Sequence, residues 1–170
     1  MTADQHAAFL AALQRHKAIL YKIANAYCAR REDRGDLIQD VVLELWRAWP
    51  RYDGRAAVST WMYRIAVNVA ISGFRGDSRR IRDALPIEDF GLDLAAADRV
   101  LDADGDDLRA LHQLIATLEP FDRALILLYL EGQGQDEIAA TLGISASNVG
   151  TRVNRIKQRL RDRAATEVSR

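Results

Sequence analysis

Apolar residues recur at helical spacing along most of this 170-residue chain, and a single acidic stretch interrupts the pattern. Between about residues 3 and 30, for example, Phe9, Leu13, Ile19 and Ile23 lie near that spacing with few helix breakers among them. No alternation of apolar and polar residues is long enough to predict a strand. The chain is therefore predicted to be all-α.

The N-terminal part is predicted to contain three helices, over residues 3–30, 36–49 and 59–74. A turn at residues 31–35 should separate the first two helices, and Pro50 should end the second. Ser59 or Thr60 is expected to cap the third helix. The C-terminal part shows four further helical patterns, over residues 108–118, 120–131, 135–142 and 145–165.

The interrupting stretch marks a division of the chain. Residues 83–107 contain nine acidic residues and one basic residue, together with Pro86, Gly91 and Gly105. This composition favours a linker over a packed element, although a short helix around residues 92–100 is an open alternative. We therefore expect two small helical domains, residues 1–80 and 108–170, joined by an acidic flexible linker at residues 81–107.

Charge is distributed unevenly, although the formal net charge is zero. Residues 1–80 carry 13 basic and 8 acidic residues, and residues 145–170 carry 7 basic and 2 acidic residues. A zero total argues against a protein that coats DNA by neutralising phosphates over its whole surface. The two basic blocks could each meet nucleic acid, whereas the acidic stretch could meet something positive.

Several functional classes are not supported by the residues. Cys28 is the only cysteine, which excludes an intramolecular disulfide, and the three histidines lack the spacing of metal ligands. No apolar stretch approaches the roughly 20 residues of a membrane helix, so we expect a cytoplasmic protein without membrane insertion. No triad order, converging carboxylate pair or Gly-rich phosphate loop after a strand indicates an enzyme. No metal, cofactor or small-molecule substrate is predicted.

The sharpest local pattern is Gln135-Asp-Glu-Ile-Ala-Ala-Thr-Leu-Gly-Ile-Ser-Ala-Ser-Asn-Val149. It predicts two helices joined by a very short turn at Gly143, where glycine permits a positive φ. Ala139 is small where the helices must cross closely, and Ser145 can cap the second helix. This arrangement is typical of a helix-turn-helix.

The second helix of this motif has two different sides. Val149, Val153, Ile156 and Leu160 share one narrow arc, whereas the opposite side carries Ser147, Thr151, Asn154, Arg155 and Gln158. Hydrogen-bonding and basic side chains of this kind suit base edges and phosphates in a DNA major groove. The alternative is an αα-hairpin with a solvated polar face.

The helix predicted over residues 36–49 also has a mixed outer side. Its core stripe consists of Ile38, Val41, Val42, Leu45 and Trp49, and the other side carries Gln39, Asp40, Leu43, Glu44 and Arg47. A single exposed leucine means little, but a stripe that mixes acidic and apolar groups is what a partner helix grips.

Aromatic and basic residues interleave in the loop and helix that follow Pro50. Arg64, Asn68 and Arg75 share one side of the predicted helix, and Trp61 and Tyr63 lie near its borders. Rings on which bases stack, beside arginines that meet phosphates, suit single-stranded nucleic acid. The alternative for each ring is an ordinary core position.

The order of these signals along the chain resembles that of sigma-seventy-type transcription factors. Residues 36–75 resemble their region two, through Asp36-Leu-Ile-Gln-Asp-Val41, Leu45-Trp46 and Ser59-Thr-Trp-Met-Tyr-Arg-Ile-Ala66 with Asn68. Residues 118–161 resemble region four, through Leu118-Glu-Pro120, Glu137-Ile-Ala139 and Leu142-Gly-Ile-Ser145. Because no room is left for further regions, the resemblance is to the short extracytoplasmic-function group.

The resemblance implies a sigma factor that binds core RNA polymerase and directs promoter-specific initiation, with promoter DNA and an anti-sigma factor as its other partners. The implied polymerase-binding residues are Asp36, Gln39, Asp40, Leu43, Glu44 and Arg47. The residues implied to melt and hold the minus-ten element are Arg51, Tyr52, Arg55, Thr60, Trp61, Tyr63, Arg64, Asn68 and Arg75. Those implied to read the minus-thirty-five element are Ser145, Ser147, Asn148, Thr151, Arg152, Asn154 and Arg155.

The chain departs from the common family pattern at Gly150, where a basic side chain is frequent. Glycine within a helix also costs about 1 kcal/mol relative to alanine. A function of another class stays open on the residues alone: a stand-alone helix-turn-helix regulator whose N-terminal bundle senses a ligand. That alternative leaves the pattern of residues 36–75 unexplained.

Overall fold

The computed structural model describes residues 1–74, 90–96, 99 and 105–169, and every regular element in these ranges is helical. The chain forms two compact units, Met1–Ala103 and Asp104–Arg170. The predicted all-α fold with two small helical domains is confirmed.

The first unit is a bundle of three helices: α1 (Ala3–Tyr27), α2 (Arg31–Ala48) and α3 (Val58–Phe74), with a 3₁₀ turn (Trp49–Arg51) after α2. Each helix packs against the other two. Large apolar side chains from all three are almost completely buried, including Phe9, Leu13, Leu20 and Ile23 of α1, Ile38 and Leu45 of α2, and Met62 of α3. Removing this apolar surface from water is the main stabilising contribution.

Two predicted helix starts in the first unit are wrong. The turn expected at residues 31–35 is helical, because α2 already begins at Arg31 with Glu32 and Asp33 in its first turn. Acidic residues there interact favourably with the positive end of the helix dipole. Neither Ser59 nor Thr60 caps α3, since the Trp61 amide already donates to the carbonyl oxygen of Ala57 (3.0 Å).

The second unit contains α4 (Asp106–Ala116), α5 (Pro120–Leu130), α6 (Gln135–Leu142) and α7 (Ala146–Val168). The helix α7 contacts the other three helices. The guanidinium of Arg123 is buried, and its Nη2 donates to the carbonyl oxygens of Ala116 (2.7 Å) and Leu118 (2.9 Å). The first bond satisfies a carbonyl that the end of α4 leaves without an intrahelical partner, and the second satisfies a carbonyl of the loop that follows.

The turn between α6 and α7 has the predicted chemistry. Gly143 ends α6 with φ of 71°, in the left-handed region that favours glycine. The Ser145 hydroxyl accepts a hydrogen bond from the Asn148 amide (3.2 Å) and so caps α7. The predicted helix-turn-helix is present.

Part of the segment expected to be a flexible linker is packed instead. Phe90 and Leu92 are each only 7% exposed, and the Phe90 ring meets those of Phe9 and Trp46 edge-on. The Gln14 Nε2 donates to the carbonyl oxygens of Phe90 (2.6 Å) and Gly91 (3.0 Å). Phe90 and Leu92 are thus buried, and Phe90 packs on rings of α1 and α2.

The remaining described parts of this segment are ordered as well. The Arg99 guanidinium donates to the Asp93 carboxylate, and this hydrogen bond holds the pKa of Asp93 below its usual value. Asp106 and Asp107, expected in the linker, form the first turn of α4. The other residues of the expected linker lie outside the described ranges.

None of the helices described is both long enough and apolar enough to cross a membrane.

Candidate polymerase and nucleic-acid interfaces

The outer face of α2 is defined by Asp36, Gln39, Asp40, Leu43, Glu44 and Arg47. The opposite side is buried as predicted at Ile38, Val41, Val42 and Leu45, whereas Trp49 is half-buried. Glu44 and Arg47 are largely exposed and form an ion pair with 3.0 Å between the carboxylate oxygen and Nη1. Leu43 lies half-buried among these polar neighbours. The face therefore combines charge with an apolar centre.

An open cavity of about 560 Å³ adjoins this face. Its walls come from the end of α1, the first half of α2 and the end of α3. Asp33, Asp36 and Asp40 supply carboxylates, and Leu37 and Ala70 supply apolar surface. Such a cavity can receive a long side chain that carries a positive charge on an apolar stem.

Three aromatic rings cluster where α2 gives way to α3. Trp49 and Tyr52 stack with their ring centroids 5.6 Å apart, and Trp61 lies 5.1 Å from Tyr52 and 5.8 Å from Trp49. All three rings are partly exposed. The Tyr52 hydroxyl donates to the Ala56 carbonyl oxygen (2.5 Å), which fixes the intervening loop.

Basic and polar side chains surround these rings, and we call the whole group the aromatic–basic surface. It consists of Trp49, Arg51, Tyr52, Arg55, Thr60, Trp61, Arg64 and Asn68. Arg51, Arg55, Arg64 and Asn68 are exposed and Thr60 is half-buried. The Arg55 guanidinium pairs with Asp53 at 3.2 Å. Partly exposed rings beside arginines are groups suited to holding unpaired nucleotides.

One residue predicted for this surface belongs to the core instead. Tyr63 is only 5% exposed and belongs to the core of the first unit, because the buried side of α3 includes Met62, Ala66, Val67 and Ala70 next to it. A base has no access to a ring at this depth. Arg75 lies outside the described residues.

The exposed side of α7 carries the predicted polar residues. Ser147, Asn148, Thr151, Asn154 and Arg155 are all exposed, while Val149, Val153, Ile156 and Leu160 are buried beneath them. The tight turn at Gly143 leaves this side of α7 open next to α6. A helix presented in this way fits a DNA major groove.

Arg152 has a different environment from the other residues predicted on α7. Its Nη2 lies 3.8 Å from the Asp122 carboxylate, and its guanidinium lies 4.8 Å from the ring centroid of Phe121. The same carboxylate is 3.7 Å from Nη1 of Arg159. Asp122 thus ties two arginines of α7 to α5. No local signal in the sequence marks Asp122, because its partners Arg152 and Arg159 are 30 and 37 residues away along the chain.

The residues described here contain no cluster of three or more histidine, cysteine, aspartate or glutamate side chains suited to a metal ion.

Family models match both units. The model described as "Sigma-70 region 2" matches residues 12–80, and the model described as "Sigma-70, region 4" matches residues 108–160. The matches cover the outer face of α2, the aromatic–basic surface and the helix-turn-helix.

Two curated relatives are similar over most of the chain. The chain is 30% identical to the ECF RNA polymerase sigma factor SigE of Mycolicibacterium smegmatis over 167 residues, 92% of this chain and 62% of SigE. It is also 30% identical to the RNA polymerase sigma factor NccH of Alcaligenes xylosoxydans xylosoxydans over 162 residues, 92% of this chain and 86% of NccH. The chain thus spans less than two thirds of SigE but most of NccH.

A solved structure shares the architecture. CnrH, in complex with the cytosolic domain of CnrY, superposes with a TM-score of 0.64 and 25% sequence identity. The similarity covers 95% of this chain and 90% of CnrH.

Proposed function

The chain belongs to the extracytoplasmic-function group of the sigma-70 family, and on that premise we propose that it binds core RNA polymerase and directs initiation at particular promoters. One observation carries this proposal: a three-helix unit with an aromatic–basic surface precedes a helix-turn-helix unit in the same chain. The role needs no catalytic step, and it places the chain in the cytoplasm with the polymerase.

The outer face of α2 is the proposed contact with core polymerase. Its carboxylates and Leu43 offer a partner helix both charge complementarity and an apolar anchor. The adjoining cavity, with Asp36 and Asp40 in its wall, offers a place for a basic side chain of that partner.

The aromatic–basic surface is the proposed site for the unpaired minus-ten element. The partly exposed rings of Tyr52 and Trp61 can stack on bases, and Arg51 and Arg64 can meet the phosphates. Holding extruded bases in this way favours the melted state of the promoter, since bases that are bound cannot pair again.

The exposed side of α7 is the proposed reader of the duplex minus-thirty-five element. Asn148, Thr151, Asn154 and Arg155 supply groups for base edges, and Ser145 and Ser147 lie at the end of the helix that enters the groove. Arg152 is proposed to position α7 and to support a phosphate contact, because Asp122 and Phe121 already hold it.

A protein antagonist is the proposed regulator. CnrH, which shares 25% of its sequence with this chain, was solved in complex with the cytosolic domain of CnrY. An anti-sigma factor that covers the outer face of α2 would compete directly with polymerase.

The alternative function, a stand-alone helix-turn-helix regulator, is not favoured. It accounts for the second unit but gives no role to the outer face of α2 or the aromatic–basic surface. It also does not explain why both sigma regions match in order along one chain.

Binding of DNA by the free chain separates the two functions. Fluorescence anisotropy would follow a labelled promoter duplex titrated with the chain alone, with core polymerase alone, and with both, at physiological salt. We expect only non-specific binding by the free chain, with Kd on the order of 10⁻⁴–10⁻⁶ M, and a stable specific complex when core polymerase is added. Tight specific binding by the free chain, unchanged by polymerase, would contradict the proposal and favour the regulator.

A further inference from the structure

Gly150 of α7 lies directly beneath the side chain of Gln135, the first residue of α6. A Cβ atom placed on Gly150 would lie 3.1 Å from Nε2 of Gln135 and 3.5 Å from its Cδ and Oε1. Carbon atoms rarely approach a neighbour as closely as 3.1 Å. The amide of Gln135 therefore lies in the space that a side chain at position 150 would enter.

This contact lies at the border of the exposed side of α7. A shallow cavity of about 340 Å³ surrounds it, lined in part by Gln133, Asn154 and Lys157. The Lys157 Nζ is 3.3 Å from the Tyr129 hydroxyl and 5.2 Å from the centre of its ring, so α5 holds this cation at the far side of the cavity. Gln135 itself is exposed and lines this cavity together with Asn154.

We propose that Gln135 is a specificity-determining residue for the minus-thirty-five element, and this rests on the proposed role of α7 as its reader. Because position 150 has no side chain, the amide of Gln135 lies against α7 there and takes the place of a group projecting from that position. In a helix-turn-helix the first helix crosses the DNA backbone at the rim of the groove that the second helix enters. A side chain at the start of α6 that lies over α7 is therefore placed to reach a base edge.

The chemistry of the amide determines what it recognises. A glutamine offers one acceptor and two donors, which match the N6 and N7 edge of adenine in the major groove. A basic side chain at position 150 would instead add a phosphate or guanine contact and release counterions. This chain therefore lacks a charged contact from position 150 with the DNA. In its place, Gln135 makes a neutral contact that depends on the base sequence.

The test uses the complete holoenzyme on a promoter library randomised across the upstream element, with transcript sequencing as the readout. Gln135→Ala should lower the preference at one base pair by about tenfold and leave the other positions unchanged. Gly150→Ala should lower the same preference, because its methyl group enters the space of the amide. In the Gln135→Ala background, Gly150→Ala should add no further change.

Two matched controls separate this effect from general ones. Gly35→Ala adds the same methyl group within a helix and meets only the end of the Leu94 side chain, at 3.4 Å. Gln113→Ala removes an equivalent exposed amide from α4. Both controls should leave the sequence preference unchanged.

The inference fails if Gln135→Ala lowers transcription equally from all sequences, or leaves every preference intact. It also fails if Gly150→Ala acts equally in both backgrounds. Arg155→Ala separates a failure of this inference about Gln135 from a failure of the proposed role of α7. If Arg155→Ala impairs upstream recognition and Gln135→Ala does not, only this inference is wrong; if neither does so, the role of α7 as reader is wrong as well.

Discussion

Two arginines on α7 illustrate how a residue's surroundings determine its role. Arg152 and Arg155 are three positions apart and chemically identical, and the sequence assigns both to DNA. Arg152 is held between Asp122 and the Phe121 ring, with a side chain 34% exposed. Arg155 is exposed on the side of α7 that can enter a groove. We therefore expect that replacing each of them by alanine has a different effect.

Arg155→Ala should reduce promoter-specific transcription by about tenfold, because one good base contact is worth roughly 1–3 kcal/mol, and should leave the unfolding temperature unchanged. Arg152→Ala should lower the stability of the second unit by about 1 kcal/mol, since it removes a cation–π contact and a partly buried ion pair. Circular dichroism during urea unfolding measures the second effect. A loss of stability with Arg155→Ala and no loss with Arg152→Ala would contradict these assignments.

The side of a helix on which a residue lies was predicted well where local periodicity determines it. The buried side of α7 follows from spacing alone, and so does the polar side opposite. The burial of Tyr63 could not be predicted in this way, because it lies near the border between the two sides of α3. The pairing of Arg152 with Asp122 needs contacts between helices distant in sequence.

At the scale of elements, helix ends were predicted where the chain carries a local stop or start. The range Gln135–Leu142 is as predicted, because Gly143 ends α6 and Ser145 caps the next helix. The start of α2 was misplaced because Arg30 provides no side-chain cap that a sequence pattern could reveal. The packing of Phe90 on the first unit has no local signal, since it depends on aromatic rings of α1 and α2.

The packed segment should contribute measurably to the first unit. Phe90→Ala removes a buried ring from contacts with Phe9 and Trp46, and should lower the free energy of unfolding by about 3 kcal/mol. The three tryptophans, Trp46, Trp49 and Trp61, all lie in the first unit. Their fluorescence therefore follows the unfolding of this unit alone. Leu94→Ala is the matched control, since Leu94 is 41% exposed. Equal effects of the two substitutions would show that the segment is not packed.

The outer face of α2 should be sensitive to the sign of its charges. Glu44→Lys leaves the buried side of α2 intact but opposes the charge that a basic partner surface needs, so affinity for core polymerase should fall by about tenfold or more. Glu167→Lys makes the same charge change on an exposed residue at the end of α7 and should leave the affinity unchanged. Titration of each labelled variant with core polymerase measures the two affinities. Unaltered affinity of the Glu44 variant would remove the assignment of this face.

At the scale of the whole molecule, a formal charge of zero is consistent with a protein that does not hold DNA by itself. The aromatic–basic surface and the exposed side of α7 are each small, and they belong to different units. Two weak contacts become one strong contact when a scaffold presents both binding elements at the required separation. In this account the scaffold is core polymerase, and the DNA elements are the minus-ten and minus-thirty-five sequences.

Transcription reconstituted from purified components would show whether the chain directs initiation by core polymerase. Core polymerase from the organism that encodes the chain would be incubated with its fragmented genomic DNA, with and without the chain, and the 5′ ends of the transcripts would be sequenced. We predict that the chain causes initiation at a discrete set of sites that share two conserved elements, and that polymerase alone does not initiate there. Initiation that is identical with and without the chain, at sites with no shared elements, would contradict the assignment of this protein as a sigma factor.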